Sequence, residues 1–297
     1  MFQNIYVKLG GIMLLLLLLV TFILPLLPYV EEGIEGSRVT FLGDGKATTA
    51  PYPPSADFPL GSDREGRNLI SVLVIGAKDT LLIITLITLI RYGVGIILGV
   101  IATFGNRLVN SVLDTFDQMF SSLPVVFFAV LLLNLPFLLF LDNRFIIVIF
   151  IIAIIETGRV GVTIKDQILS IKKEPYIDAA ITVGVSPFTM TKNYYIPNIL
   201  PTLIVNFCYD LGRVALIVGQ LGVFSIFVTQ EFIQVDAGLG KIENNSLNWA
   251  TLLGQAKKDL YTSYWIPLYA AMAILYLVLT FNILGEGLRR VFDRKNA

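Results

Sequence analysis

Two groups of residues carry whatever chemistry this sequence can offer. The first is a set of charges stranded in apolar runs: Arg91, Glu156, Asp210 and Arg213. A charge at the centre of a membrane helix costs about 2.5–3.5 kcal/mol on insertion scales, so it faces a partner or water rather than lipid. Arg91 and Glu156 lie on different runs and are opposite in sign, which makes them candidates for an interhelical pair. Asp210 and Arg213 fall three apart on one helical face and could satisfy each other. Such groups either lock helices together or line a solute path and engage the charged ends of a solute.

The second group sits in a charged, proline-punctuated stretch, 174–201, between long apolar runs. Tyr176, Ala179, Ala180 and Val183 recur at helical spacing and make one small, mostly apolar face. Lys172, Lys173, Glu174, Asp178 and Thr182 supply polar surroundings. Gly184 suits the left-handed conformation that ends a helix. Ser186-Pro187 reads as the N-cap and first residue of the next helix, and Pro197 and Pro201 should stop that one before the chain re-enters lipid. A short helix held outside the membrane with a small-residue face suits docking by a soluble partner; the same pattern also fits a plain connector between two membrane helices.

Membrane helices are the elements that must position both groups. Of the 297 residues, 55% are hydrophobic and 15% charged, and the mean hydropathy of +0.76 is too apolar for an ordinary soluble domain. A bilayer span needs roughly 20 apolar residues. Runs of that kind at 9–30, 80–104, 118–141, 145–162, 202–227 and 260–285 predict an all-α polytopic protein of about six transmembrane helices. The pattern divides the chain into an N-terminal anchor (1–30), an extracellular loop with an amphipathic helix (31–79), a five-span core (80–285) that includes the segment 165–200, and a tail (286–297). Pro25 and Pro28 fit a kink at the outer edge of the first span. The acidic, Gly- and Pro-rich stretch 31–59 reads as a loop with little packing. Ser62-Asp63-Arg64-Glu65 fits a capping box opening the amphipathic helix, with Leu69, Ile70, Leu73 and Val74 on its apolar face and an Asp63–Arg67 pair at i,i+4. The later loop, 228–259, with Trp249 and Lys257-Lys258, is suited to an interfacial helix or to contact with a substrate-delivering protein. Six spans put both termini on one side. The positive-inside bias is weak by count, but Lys172-Lys173 and the basic tail lie close to predicted helix ends.

Three segments, in this order, resemble the motifs of one family. LGSDREGRN at 60–68 is similar to LGTDxxGRD, DAAITVG followed by YYIPNILP resembles EAA-x3-G-x9-I-x-LP, and FNILGEGLRRVFDRK at 281–295 resembles FNLLGDGLRDxLDPR. By these motifs the chain resembles the permease subunits of ABC importers in the oligopeptide, dipeptide and nickel class, nearest to the C-type subunit. The resemblance implies the type I permease fold in a bacterial or archaeal cell membrane, with both termini cytoplasmic. It implies partners as well: a homologous B-type permease, two ATPase subunits or domains that carry the ATP, and an extracellular substrate-binding protein. Under it, Tyr176, Asp178, Ala179, Ala180, Val183 and Gly184 form the ATPase-coupling helix, and the stretch 174–201 faces the cytoplasm. The chain departs from the family at Asp178, which replaces the motif's glutamate, at Asn68 in place of aspartate, and at Glu156, Thr157 and Arg159, where the family carries an aromatic residue. The region 220–248 also matches the family's SFLGLG-x-PP-x-SWG pattern poorly.

Several function classes are excluded by what the sequence lacks. No GxxxxGK[ST] loop occurs, so ATP phosphates cannot be cradled in the P-loop manner and the subunit itself needs no cofactor. There is no histidine, which removes Ser-His catalysis, and with a single cysteine, Cys208, no metal site is expected. No basic tract supports nucleic-acid binding. A stand-alone secondary transporter or channel, a permease for nickel chelates, a membrane-embedded enzyme and a membrane scaffold are the competing readings. Absence of repeated halves counts against the first, and scattered carboxylates count against the enzyme.

Overall fold

The computed structural model describes residues 4–41, 47–139, 141, 143–236 and 239–296. Met1–Gln3 of the expected anchor, Phe140 of the third expected span and Ala297 of the tail lie outside them. Among the described residues, four helices are long and apolar enough to cross a membrane, or up to six if two bent helix pairs each count as one span.

The leucine-rich N-terminal run forms α1 (Ile5–Phe22), capped by the Asn4 side chain, which accepts from the Tyr6 amide. Its apolar residues point all round, as suits a helix whose solvent is lipid. Pro25 and Pro28 end it in a 3-10 turn (Leu24–Leu26) and a short helix (Pro28–Glu32). The next long helix, α2 (Leu69–Thr103), does not open with a capping box at Ser62–Glu65. Its N-cap is Asn68, accepting from the Ile70 amide. Gly66, at φ +80°, takes a left-handed conformation that no helix could continue through. Asp63 instead closes a turn, accepting from the Glu65 and Arg67 amides at 2.9 Å and pairing with the Arg67 side chain at 2.7 Å. From Leu69 the helix is unbroken, so the expected amphipathic helix and second span are one element.

The third expected span is instead an elbow. An amphipathic helix, α3 (Arg107–Ser121), turns by 98° at Ser122-Leu123-Pro124 into α4 (Val125–Leu133). Proline lacks the amide hydrogen and forces its predecessor out of the helical region, which is why the break falls here. The fourth span is a pair, α5 (Arg144–Ile155) and α6 (Thr157–Ile171), bent by 44° at Glu156. After the short helix α7 (Pro175–Thr182), the chain passes through Pro187–Met190 and a π-turn at Thr191–Tyr195 into α8 (Ile196–Val223). Pro197 and Pro201 therefore do not stop a helix. Pro197 lies in the first turn of α8, where an amide donor is not needed, and Pro201 lies inside it. The last helix, α9 (Trp265–Asn296), runs on well past residue 285.

Two antiparallel hairpins decorate the connections: β1 (Val39–Phe41) with β2 (Ala47–Thr49), and β3 (Gln230–Asp236) with β4 (Leu239–Asn244). Neither loop is unpacked. Tyr52 is buried, stacks on Phe58 with ring centres 5.3 Å apart and donates its hydroxyl to the Ser37 carbonyl. Trp249 is buried rather than interfacial: its indole donates to the Leu73 carbonyl at 2.8 Å and its amide to the Thr80 hydroxyl at 3.0 Å. Arg64 reaches Asp259 and the Leu252 carbonyl. Segments distant in sequence are thus clasped to the start of α2.

Gly76 is what lets this clasp close, because a Cβ there would fall 2.1 Å from the Leu247 carbonyl oxygen. Gly76→Ala should cost about 1–3 kcal/mol through overpacking. It should show as a lower melting temperature of the detergent-purified protein and faster proteolysis between residues 225 and 264. An unchanged melting curve and cleavage pattern would refute the tight approach.

Candidate functional site

The break at Glu156 is the origin of the site. Where α5 ends, its last carbonyls lose their intrahelical donors. Arg91, in the middle of α2 and fully buried, supplies replacements: Nη2 donates to the Ile152 carbonyl at 3.1 Å and Nε to the Ala153 carbonyl at 3.4 Å. A cation is favourable at that helix end, and Glu156, at the start of α6, is favourable at the other. The two then meet directly, Arg91 Nη1 lying 2.8 Å from Glu156 Oε2. The same nitrogen lies 2.9 Å from Asp210 Oδ2 on α8. Arg159, one turn into α6, donates to Glu156 Oε1 at 3.2 Å and to Asp210 Oδ1 at 2.7 Å. Arg213 donates from Nη1 to Glu156 Oε1 at 3.0 Å.

The expected Arg91–Glu156 pair is therefore present, but the expected Asp210–Arg213 pair is not. Both residues look across to other helices, because Asp210 turns inward to Arg91 while Arg213 follows the cavity wall. Arg159 completes the network and was absent from the sequence-derived set; its i,i+3 spacing from Glu156 was the signal. Glycines let α6 approach α2 on one side and α3 on the other. A Cβ on Gly99 would fall 2.7 Å from the Gly161 carbonyl, and one on Gly158 would fall 2.7 Å from the Asp117 amide nitrogen.

Beside the network lies a cavity of about 530 Å³ between α6, α8 and α9. Arg159, Asp210 and Arg213 line it, with Tyr92, Asn206 and Asn282 among the other wall residues. Tyr92 adjoins Arg91 and Asn282 belongs to the 281–295 motif, whereas Asn206 is an isolated polar group in an apolar run and carries no sequence signal of its own.

The second candidate site is α7. Glu174 precedes it, Pro175 opens it, and Gly184 at φ +83° ends it as expected. Ser186 caps the following turn, accepting from the Thr189 amide. The expected face divides, however. Tyr176, Ala179 and Val183 are exposed, whereas Ala180 turns inward with Ile177. Those two pack into a cluster with Ile164 and Ile168 of α6 and Tyr195, Ile199 and Leu203 around the start of α8. Ala180 lies three residues after the buried Ile177 and shares its inward face, whereas Ala179 lies a 100° step away toward solvent. Asp178 and Gly184 are exposed. Lys172 fastens the base of this unit, donating to the Thr103 carbonyl and lying over the rings of Phe104 and Tyr195 at 5.1 and 5.9 Å. Burial pushes its ammonium below the usual lysine value.

Residues 95–297 match the family described as binding-protein-dependent transport system inner membrane component. This chain belongs to that family. It is a multi-pass permease subunit of the ABC importer class, C-type, with a mostly helical fold. The permease is 30% identical over 237 residues to the oligopeptide transport system permease protein OppC of Haemophilus influenzae, covering 80% of this chain and 70% of that protein. It is 25% identical to the protein of the same name from Salmonella typhimurium, over 85% of this chain and 77% of the relative. It is 26% identical to the dipeptide transport system permease protein DppC of Bacillus subtilis, over 84% and 72%. The family match takes in the end of α2 and all of α3 to α9, and so Glu156, Arg159, Asp210 and Arg213; Arg91 lies four residues before it.

Removing Arg91 would take a donor from each of two buried carboxylates and from the Ile152 carbonyl, while the Ala153 carbonyl would keep the Thr157 hydroxyl at 2.9 Å. Arg91→Leu should destabilise the permease by about 3–5 kcal/mol, and Arg91→Leu combined with Glu156→Leu should recover part of that loss. Melting temperature in detergent and the amount of protein in the membrane test both. A single variant as stable as the wild type would show that the network carries no structural load.

Proposed function

We propose that this permease forms half of the translocation path of an ATP-driven importer for oligopeptides or dipeptides. In this reading a homologous B-type permease forms the other half, and an extracellular binding protein delivers the solute. Two ATPase subunits bind and hydrolyse the ATP, one of them receiving α7, and both termini lie with α7 in the cytoplasm. The peptide assignment is supported by the relatives named above as oligopeptide and dipeptide permeases. The coupling assignment is supported by one observation in particular: α7 presents Tyr176, Ala179 and Val183 to solvent while Ile177 and Ala180 root it in the core.

That division makes α7 a lever. Its inner face is packed against α6 and the start of α8, and these two helices carry Glu156, Arg159, Asp210 and Arg213. A push on α7 by a closing ATPase pair would tilt both helices together and change the cavity between them. In this mechanism the permease supplies no catalytic group, and solute passes by alternating access.

Gly184 keeps the lever stiff at its end. Nothing lies within 4 Å of a Cβ placed there, so the obstacle to a larger residue is φ alone. Gly184→Val should strain the turn by roughly 1–2 kcal/mol, leaving the permease inserted but abolishing substrate-stimulated ATP hydrolysis in the assembled transporter. Normal stimulation in that variant would refute the docking role. A cysteine at Ala179 should crosslink to an ATPase chain, and persistent failure to do so, or labelling of that cysteine from outside the cell, would sink the assignment.

A further inference from the structure

We propose that the cavity beside the charge network is a subsite for the terminal carboxylate of a short peptide, held by Arg213 together with Arg159. This rests on the peptide reading above and deepens it. The network contains three guanidinium groups and two carboxylates. All four carboxylate oxygens already accept: Glu156 Oε1 from Arg159 and Arg213, its Oε2 from Arg91, and the two oxygens of Asp210 from Arg159 and Arg91. One positive charge is left over.

The surplus does not reside on Arg91, which is sealed from solvent and committed on three nitrogens. Arg213 touches the network through Nη1 alone, its side chain is 51% exposed, and it lines the cavity. Arg159 lines the same wall and is 36% exposed. Other charges nearby are engaged elsewhere in the chain: Lys165 with Asp114, and Glu286 with Tyr209, Arg289 and Arg290. Asp117 shares a small hollow with Arg159 but accepts from Ser121, and among the described residues it forms no ion pair with that arginine.

A carboxylate is the group that such a surplus selects. The guanidinium fork matches its two oxygens, and in a partly dehydrated cavity a charged acceptor binds it far better than a neutral one. The volume falls within the range of about 300–1,000 Å³ typical of small-ligand sites. Asn206, Asn282 and Thr163 add amide and hydroxyl groups suited to a peptide backbone.

The test is ATP-driven uptake of trialanine and of trialanine amide by the fully assembled transporter in proteoliposomes, for the wild type, Arg213→Gln and Arg213→Lys. Using one binding protein throughout cancels its own preference from the comparison. In Arg213→Gln the acid-to-amide uptake ratio should fall about tenfold or more, and Arg213→Lys should restore most of it. An unchanged ratio, with both peptides slowed equally, would overturn the subsite. A wild type that imports neither peptide would overturn the peptide reading, and the subsite with it.

Discussion

The structure depends on one buried guanidinium at a broken helix. Arg91 caps the carbonyls that the bend at Glu156 releases, and it binds a carboxylate from each of two other helices. A buried guanidinium without such partners would cost several kcal/mol, and without Arg91 one oxygen of each carboxylate would lose its donor. The bend and the charges therefore require each other. Neither a straight fourth span nor an apolar residue at 91 would be stable with the remaining parts in place.

The same arrangement explains how the two candidate sites can communicate. Glu156 and Arg159 sit at the start of α6, and Ile164 and Ile168 further along it pack on the inner face of α7. Asp210 and Arg213 sit on α8, whose first turns share that cluster through Ile199 and Leu203. Both helices that grip α7 thus also share one ion network, at the start of α6 and the middle of α8, so they are tied together at two levels. Interior packing of this kind passes on a displacement rather than absorbing it.

Close approach is the other constraint, and glycine meets it. α1 lies on α9 where a Cβ on Gly10 would fall 2.8 Å from the Leu284 backbone and one on Gly287 would fall 2.7 Å from Val7. Within lipid, where hydrophobic burial gives no preference for one helix partner over another, small residues and polar contacts are what hold helices together. The long clasp at the other end, from Trp249 and Arg64 to α2 and Asp259, adds polar contacts of the same kind.

Much of this was legible in the residues themselves. Apolar runs marked the membrane helices, three motifs marked the family, and Gly184 and Ser186-Pro187 marked the ends of the short helices, because length, composition and capping act within a few residues. The errors fell where a tight turn or a partner on another helix competes with the local pattern. Ser62–Glu65 has the pattern of a capping box, yet Gly66 and the hydrogen bonds that Asp63 accepts from nearby amides make it a turn. Asp210 and Arg213 have the spacing of a pair, yet each finds a stronger partner on another helix. Sequence alone determined that these charges lie at membrane depth and need partners. Only the tertiary structure decided which partners, since an ion pair is chosen by distances between helices that linear spacing does not encode.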